Sequence, residues 1–159
     1  MIIKGLVDED FINYKIPCMY ICTARCSFKC DKELGGRYCQ NSPVAKQKDM
    51  AVDEENIIKR YIQNPITHAI CFSGLEPFDQ FDDMFSFIKK LREEHECNDA
   101  VVIYSGYDKD EIADMISTLR QFDNIIVKYG RYRPNEEKHY DKVLGVYLAS
   151  NNQFAERIN

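Results

Sequence analysis

The chain has 159 residues, 45% hydrophobic and 30% charged, with a formal net charge of −5. That length suits one domain, residues 1–159, with a sizeable core. The acidic balance excludes nucleic acid as the main partner, because Lys and Arg are scattered among acids, as in Lys89-Lys90-Leu91-Arg92-Glu93-Glu94.

No apolar run approaches the roughly 20 residues of a membrane span. The opening Met1-Ile2-Ile3-Lys4-Gly5-Leu6-Val7-Asp8-Glu9-Asp10 lacks a secretory h-region. A cytoplasmic location with no membrane contact is therefore expected, and there thiols stay reduced. In that setting seven cysteines, an odd number, point to metal or redox chemistry rather than a disulfide framework.

In chain order, Ile16 to Ile21 reads as a short strand and residues 31 to 50, with Gly35-Gly36 and Pro43, as loop. Asp53 can cap a helix through Ile57, Ile58, Tyr61 and Ile62, which Asn64-Pro65 ends. Thr67 to Phe72 is a buried strand, followed by Ser73-Gly74-Leu75-Glu76-Pro77 and a helix from about Asp79 to Glu94. Ala100 to Tyr104 is a strand broken by Ser105-Gly106. Asp108 and Glu111 then form a capping box for a helix through Ile112, Met115, Ile116 and Leu119. Asn124 to Lys128 is a fourth strand and Lys142 to Ala149 a fifth. This alternation predicts an α/β fold, a single-domain partial (open) β/α barrel with mostly parallel strands. In such folds chemistry sits at the carboxyl ends of the strands, which is where the cysteines, Ser73 to Pro77 and Ser105 to Tyr107 all fall.

Cys18, Cys22, Cys26 and Cys30 stand at intervals of four, and Cys39 follows. In a strand, Cys18 and Cys22 share a face about 13 Å apart, too far for one metal. Cys18 is then a small buried hydrophobe. Cys26 and Cys30 lie in the polar segment Thr23-Ala24-Arg25-Cys26-Ser27-Phe28-Lys29-Cys30, where a loop can wrap a metal and aim N–H groups at sulfur. Arg25 and Lys29 are expected to lower the thiol pKa. A four-cysteine zinc site is one reading; an iron–sulfur cluster held by three cysteines suits the spacing better. Cys71 and Cys97 read as structural, His68, His95 and His139 take no role, and Tyr129 to Pro134 reads as a packed surface loop.

Three features coincide: Cys26-x3-Cys30 with a third cysteine, Ser73-Gly74-Leu75-Glu76-Pro77 after a strand, and Tyr104-Ser105-Gly106-Tyr107 after the next. Together they resemble the radical S-adenosylmethionine superfamily, with its CxxxCxxC signature and later GGEP-like turn. Within it, the chain is most similar to the anaerobic ribonucleoside-triphosphate reductase activating proteins. Cys39-Gln40-Asn41, Ser105-Gly106-Tyr107, Gly130 and Ser150-Asn151-Asn152-Gln153 extend the likeness over nearly the whole chain.

The resemblance implies a 4Fe–4S cluster held by Cys26, Cys30 and Cys39, with Cys22 as the alternative third ligand. It implies S-adenosylmethionine held by Ser73, Gly74, Glu76, Ser105, Gly106 and Asn41, with Glu76 on the methionyl amino group. The implied activity is cleavage of that cofactor to a 5′-deoxyadenosyl radical, which installs a glycyl radical on a partner enzyme. The implied partners are a glycyl-radical enzyme, the anaerobic ribonucleotide reductase, and an electron donor such as flavodoxin. The alternatives are a radical S-adenosylmethionine enzyme acting on a small molecule, and a non-catalytic zinc or iron–sulfur module. The chain departs from the pattern in three places: eight residues separate Cys30 from Cys39, so Asp31 to Tyr38 must loop out; Gln40 stands where the family has an aromatic residue after the third cysteine; and Leu75 replaces the second Gly, which is tolerable if that position needs no positive φ.

Overall fold

A computed structural model describes all 159 residues. Its spine is a seven-stranded sheet in the order β3-β1-β2-β4-β5-β6-β9. The four inner strands, β2 (Cys18–Thr23), β4 (Ala69–Gly74), β5 (Ala100–Tyr104) and β6 (Ile125–Tyr129), run parallel. They are buried almost throughout, and so they read in sequence as near-continuous apolar runs. Antiparallel strands flank them: β1 (Ile2–Asp10) and β3 (Met50–Ala51) on one side, β9 (Phe154–Arg157) on the other. The expected open, largely parallel α/β architecture is what the chain adopts, with antiparallel edges that the sequence did not announce.

One face of the sheet carries helices. Met19 and Ile21, Ile70 and Phe72, Val101 and Ile103, and Ile125 and Val127 pack there against α3 (Glu54–Ile62), α4 (Phe81–Glu93) and α5 (Ala113–Leu119). Phe72 meets Phe87 of α4 edge-on at 5.4 Å, a geometry worth about 1 kcal/mol beyond burial. The alternate residues Cys18, Ala69, Cys71, Val102 and Ile126 face the other way. That second face is covered only in part, by Tyr14, Leu144 and Leu148. Beyond them it opens into the cavity described below.

The local signals held where side chains enforce them. Asp53 caps α3, accepting from Glu55 N at 3.0 Å. The Asp108–Glu111 capping box forms, introducing a 3₁₀ turn, Lys109–Ile112, that leads into α5. A second 3₁₀ turn, Pro77–Gln80, precedes α4. Two expectations need correction. Residues 31 to 50 hold two short helices, α1 (Lys29–Leu34) and α2 (Ser42–Ala45), neither with a buried residue. Lys142 to Ala149 is not a strand of the main sheet: β7 (His139–Asp141) and β8 (Val146–Leu148) form a separate hairpin, turning at Gly145 with φ +74°. Its residues close the open face rather than extend the sheet. No helix is long and apolar enough to cross a membrane.

Candidate iron–sulfur and ligand site

At the carboxyl edge of the parallel strands lies a cavity of about 360 Å³. Its lining includes Cys26, Cys30, Cys39, Asn41, Ser73, Gly74, Glu76, Ser105 and Gly106, every residue the resemblance assigned to cluster or cofactor apart from the alternative ligand. Cys22 is not among them. Its sulfur is buried beneath Gly74, where a Cβ would collide with it, and burial raises its thiol pKa. Gly74 has φ +89°, a conformation that favours glycine, while Leu75 is not among the positive-φ residues. The departure from GG to GL is therefore sterically harmless.

The loop after β2 is pinned by the turn after β4. Glu76 N donates to Arg25 O at 2.8 Å, Ala24 N donates to Gln80 Oε1 at 3.0 Å, and Ser27 N donates to the Asp79 carboxylate. Tyr107 adds its hydroxyl to the same carboxylate. Phe28 is forced to φ 53°, which is costly for a residue with a side chain. The result is that Phe28 N points at Cys26 Sγ, 3.2 Å away. An N–H aimed at this sulfur is what the polar loop was expected to provide.

The expectation for Arg25 and Lys29 fails. Arg25 pairs with Asp49 and Lys29 with Glu111, so neither charge serves a thiol. Burial pushes Cys26 up to about 12, and burial with the neighbouring Cys39 pushes Cys30 up to about 11. Binding a metal centre must therefore drive these protons off.

Glu76 is 7% exposed, and its carboxylate joins two strand ends. Oε1 accepts from Ser105 Oγ at 2.9 Å and Phe78 N at 3.2 Å, and Oε2 accepts from Gly106 N at 2.8 Å. Burial still pushes its carboxyl up to about 7 against those donors. A carboxylate offers about four lone-pair sites, so acceptor capacity remains toward the cavity.

Sequence reading missed Lys128. It is 6% exposed in β6, lines the cavity, and donates to Gly130 O at 2.8 Å and Ser105 O at 3.2 Å. Burial pushes its ammonium down to about 8, opposed by the Glu76 charge. The signal was present: a Lys inside the apolar run Ile125-Ile126-Val127-Lys128-Tyr129 needs a reason to be there. Gly130, Arg131 and Tyr132 also line the cavity, so the segment read as a surface loop is part of its wall. Gln153, from the Ser-x-Asn-Gln stretch, reaches it too and donates to Gly130 O at 3.2 Å.

The chain matches the model of the 4Fe-4S single cluster domain family over residues 18–154. It belongs to that family. No curated protein and no solved structure matches it significantly. The 4Fe–4S cluster is the group that membership implies, and the donor set fits it: half-buried thiols face one cavity, with a backbone N–H already aimed at one sulfur. No three Cys, His, Asp or Glu side chains are gathered as a metal-ion site in this structure.

Proposed function

We propose that this protein is a radical S-adenosylmethionine activase, in which Cys26, Cys30 and Cys39 hold the 4Fe–4S cluster and leave one iron for the amino acid end of S-adenosylmethionine. The observation that carries the reading is the meeting of these thiols with a buried carboxylate, Glu76, and a buried ammonium, Lys128, on one cavity. An α-amino acid moiety needs both charges answered. Glu76 suits its ammonium and Lys128 its carboxylate, each by a charge-assisted hydrogen bond strengthened by burial.

A bound, reduced cluster would supply the single electron for reductive carbon–sulfur cleavage of S-adenosylmethionine. The chain's own part is placement. Asp79 and Gln80 fix the loop bearing Cys26, and Phe28 N–H stabilises its thiolate. Ser105 and Gly106 hold the Glu76 carboxylate toward the cavity rather than toward solvent. Tyr20 and Tyr104 wall the inner side and exclude water.

The mouth favours a protein partner over a small metabolite. Tyr147, a lining residue, is 72% exposed, and Phe11 at 64% and Ile12 at 77% stand just before the lining residue Asn13. Exposed apolar side chains round an open site suit a docked polypeptide. A glycyl-radical enzyme, the anaerobic ribonucleotide reductase, is the proposed partner, with a flavodoxin-type carrier as electron donor. The test is anaerobic reconstitution followed by incubation with S-adenosylmethionine and the candidate reductase. A glycyl radical signal with stimulated 5′-deoxyadenosine release supports the activase. Stimulation by a metabolite alone replaces it with the small-molecule enzyme.

A further inference from the structure

Asp31 is the point at which the chain leaves and returns. Its backbone carbonyl accepts from Gly35 N and Gly36 N, the latter at 3.2 Å. Its carboxylate Oδ1 accepts from both Tyr38 N and Cys39 N, each at 2.8 Å. Gly35, at φ +66°, makes the reversal at the end of α1 without a side-chain penalty. Cys39 is thereby brought to the same cavity as Cys30. Between departure and return lie Lys32 to Arg37. None of the residues of α1 is buried. The only ion pair this excursion makes is Glu33 with Arg131, which keeps Asp108 and Glu111 as well.

We propose that Asp31 is a positioning residue that splices the third thiol into register, so that Lys32–Arg37 is an excursion the cluster site does not need. In space the site reads Cys26-x3-Cys30-Asp31-Tyr38-Cys39, with two residues between the second and third cysteines. The inference rests on the cluster reading above and says how this chain reaches the three-thiol arrangement despite eight intervening residues. Two backbone N–H groups converging on one side-chain oxygen decide where this surface loop returns. The excursion adds no core, so its removal costs little packing.

Three variants test it: Asp31→Ala, Asp31→Asn, and deletion of residues 32–37. The first readout is iron and sulfide per chain after anaerobic reconstitution, with the spectrum of the reduced cluster. The second uses apoprotein: the rate of Cys30–Cys39 disulfide formation with diamide, which takes up the two electrons and two protons, read by peptide mapping. Asp31→Ala is expected to lower cluster content and to slow the crosslink about tenfold. Asp31→Asn, whose amide oxygen can accept the same two N–H bonds, restores both, and the deletion variant keeps both. A full cluster and an unchanged crosslink rate in Asp31→Ala overturn the role. So does loss of both in a deletion variant that melts like wild type. If the deletion does not fold, replacing Lys32, Glu33, Leu34 and Arg37 by Gly and Ser in the full-length chain takes its place, with the same expected retention. Should wild type take up no cluster yet show the Asp31-dependent crosslink, the cluster reading fails and the positioning role stands.

Discussion

Glu76 and Lys128 are a carboxyl raised toward neutrality and an ammonium lowered toward it, both by burial, in the lining of one cavity and both bonded to Ser105. Such a pair sits uneasily until a ligand brings the complementary charges, which is the expected state of a recognition site. The ammonium has a consequence for stability. Its pKa is about 8 folded against 10.5 unfolded, so between those values the unfolded chain binds the proton and the native chain does not. Stability must then rise with pH across that window, by something of the order of 3 kcal/mol. Urea unfolding of apoprotein at pH 7.5 and 10 should show the rise in wild type relative to Lys128→Met, which has no such group. Parallel pH profiles for the two proteins would contradict the buried, charged Lys128.

A second residue-scale prediction concerns Gly74. Replacing it by Ala meets both the +89° φ and the Cys22 sulfur, and should cost about 3 kcal/mol. Adding Cys22→Ala should recover about 1 kcal/mol of that, because the sulfur is gone while the backbone strain remains. Strict additivity in denaturant melts would place Cys22 elsewhere.

Among elements, the 3₁₀ turn Pro77–Gln80 has a function out of proportion to its length. Asp79 holds the Ser27 amide and the Tyr107 hydroxyl, so one carboxylate joins the loop after β2 to the loop after β5. Asp79→Ala should cost roughly 1–2 kcal/mol in stability, and iron loss to a chelator should quicken several-fold. Unchanged iron release would mean the loop is held without it.

The inner strands and long helices were legible because they are buried on both faces or along one stripe. Phe81, Met84, Phe87, Ile88 and Leu91 mark α4 plainly in sequence, whereas β1 buries only Ile3 and β9 only Ala155. Edge strands like these carry no pattern to read, and they are fixed by partners distant in the chain. The short helices α1 and α2 were invisible for the same reason, since neither buries a residue. The site was legible where glycine and acid follow a strand, at Gly74 and Glu76 and at Ser105 and Gly106. Lys128 escaped because its environment is made by Ser105, Gly130 and Glu76, which are brought together only by the sheet.

For the molecule as a whole, the sheet divides two duties. The helical face supplies the stability, and the opposite face, only partly covered, supplies the site. The four parallel strands end on one edge, so the strand β6 and loops far apart in sequence deliver ammonium, thiols and carboxylate to one cavity. The central claim is that Cys26, Cys30 and Cys39 hold the cluster at the mouth of an S-adenosylmethionine site. It is tested most directly by reconstituting wild type, Cys22→Ala and Cys39→Ala anaerobically, then measuring iron, sulfide and dithionite-driven release of 5′-deoxyadenosine. The account predicts about four irons and four sulfides per chain in wild type and Cys22→Ala, both releasing the nucleoside, with cluster and activity lost in Cys39→Ala. A full cluster in Cys39→Ala with loss in Cys22→Ala, or a full wild-type cluster that releases no nucleoside, would contradict it.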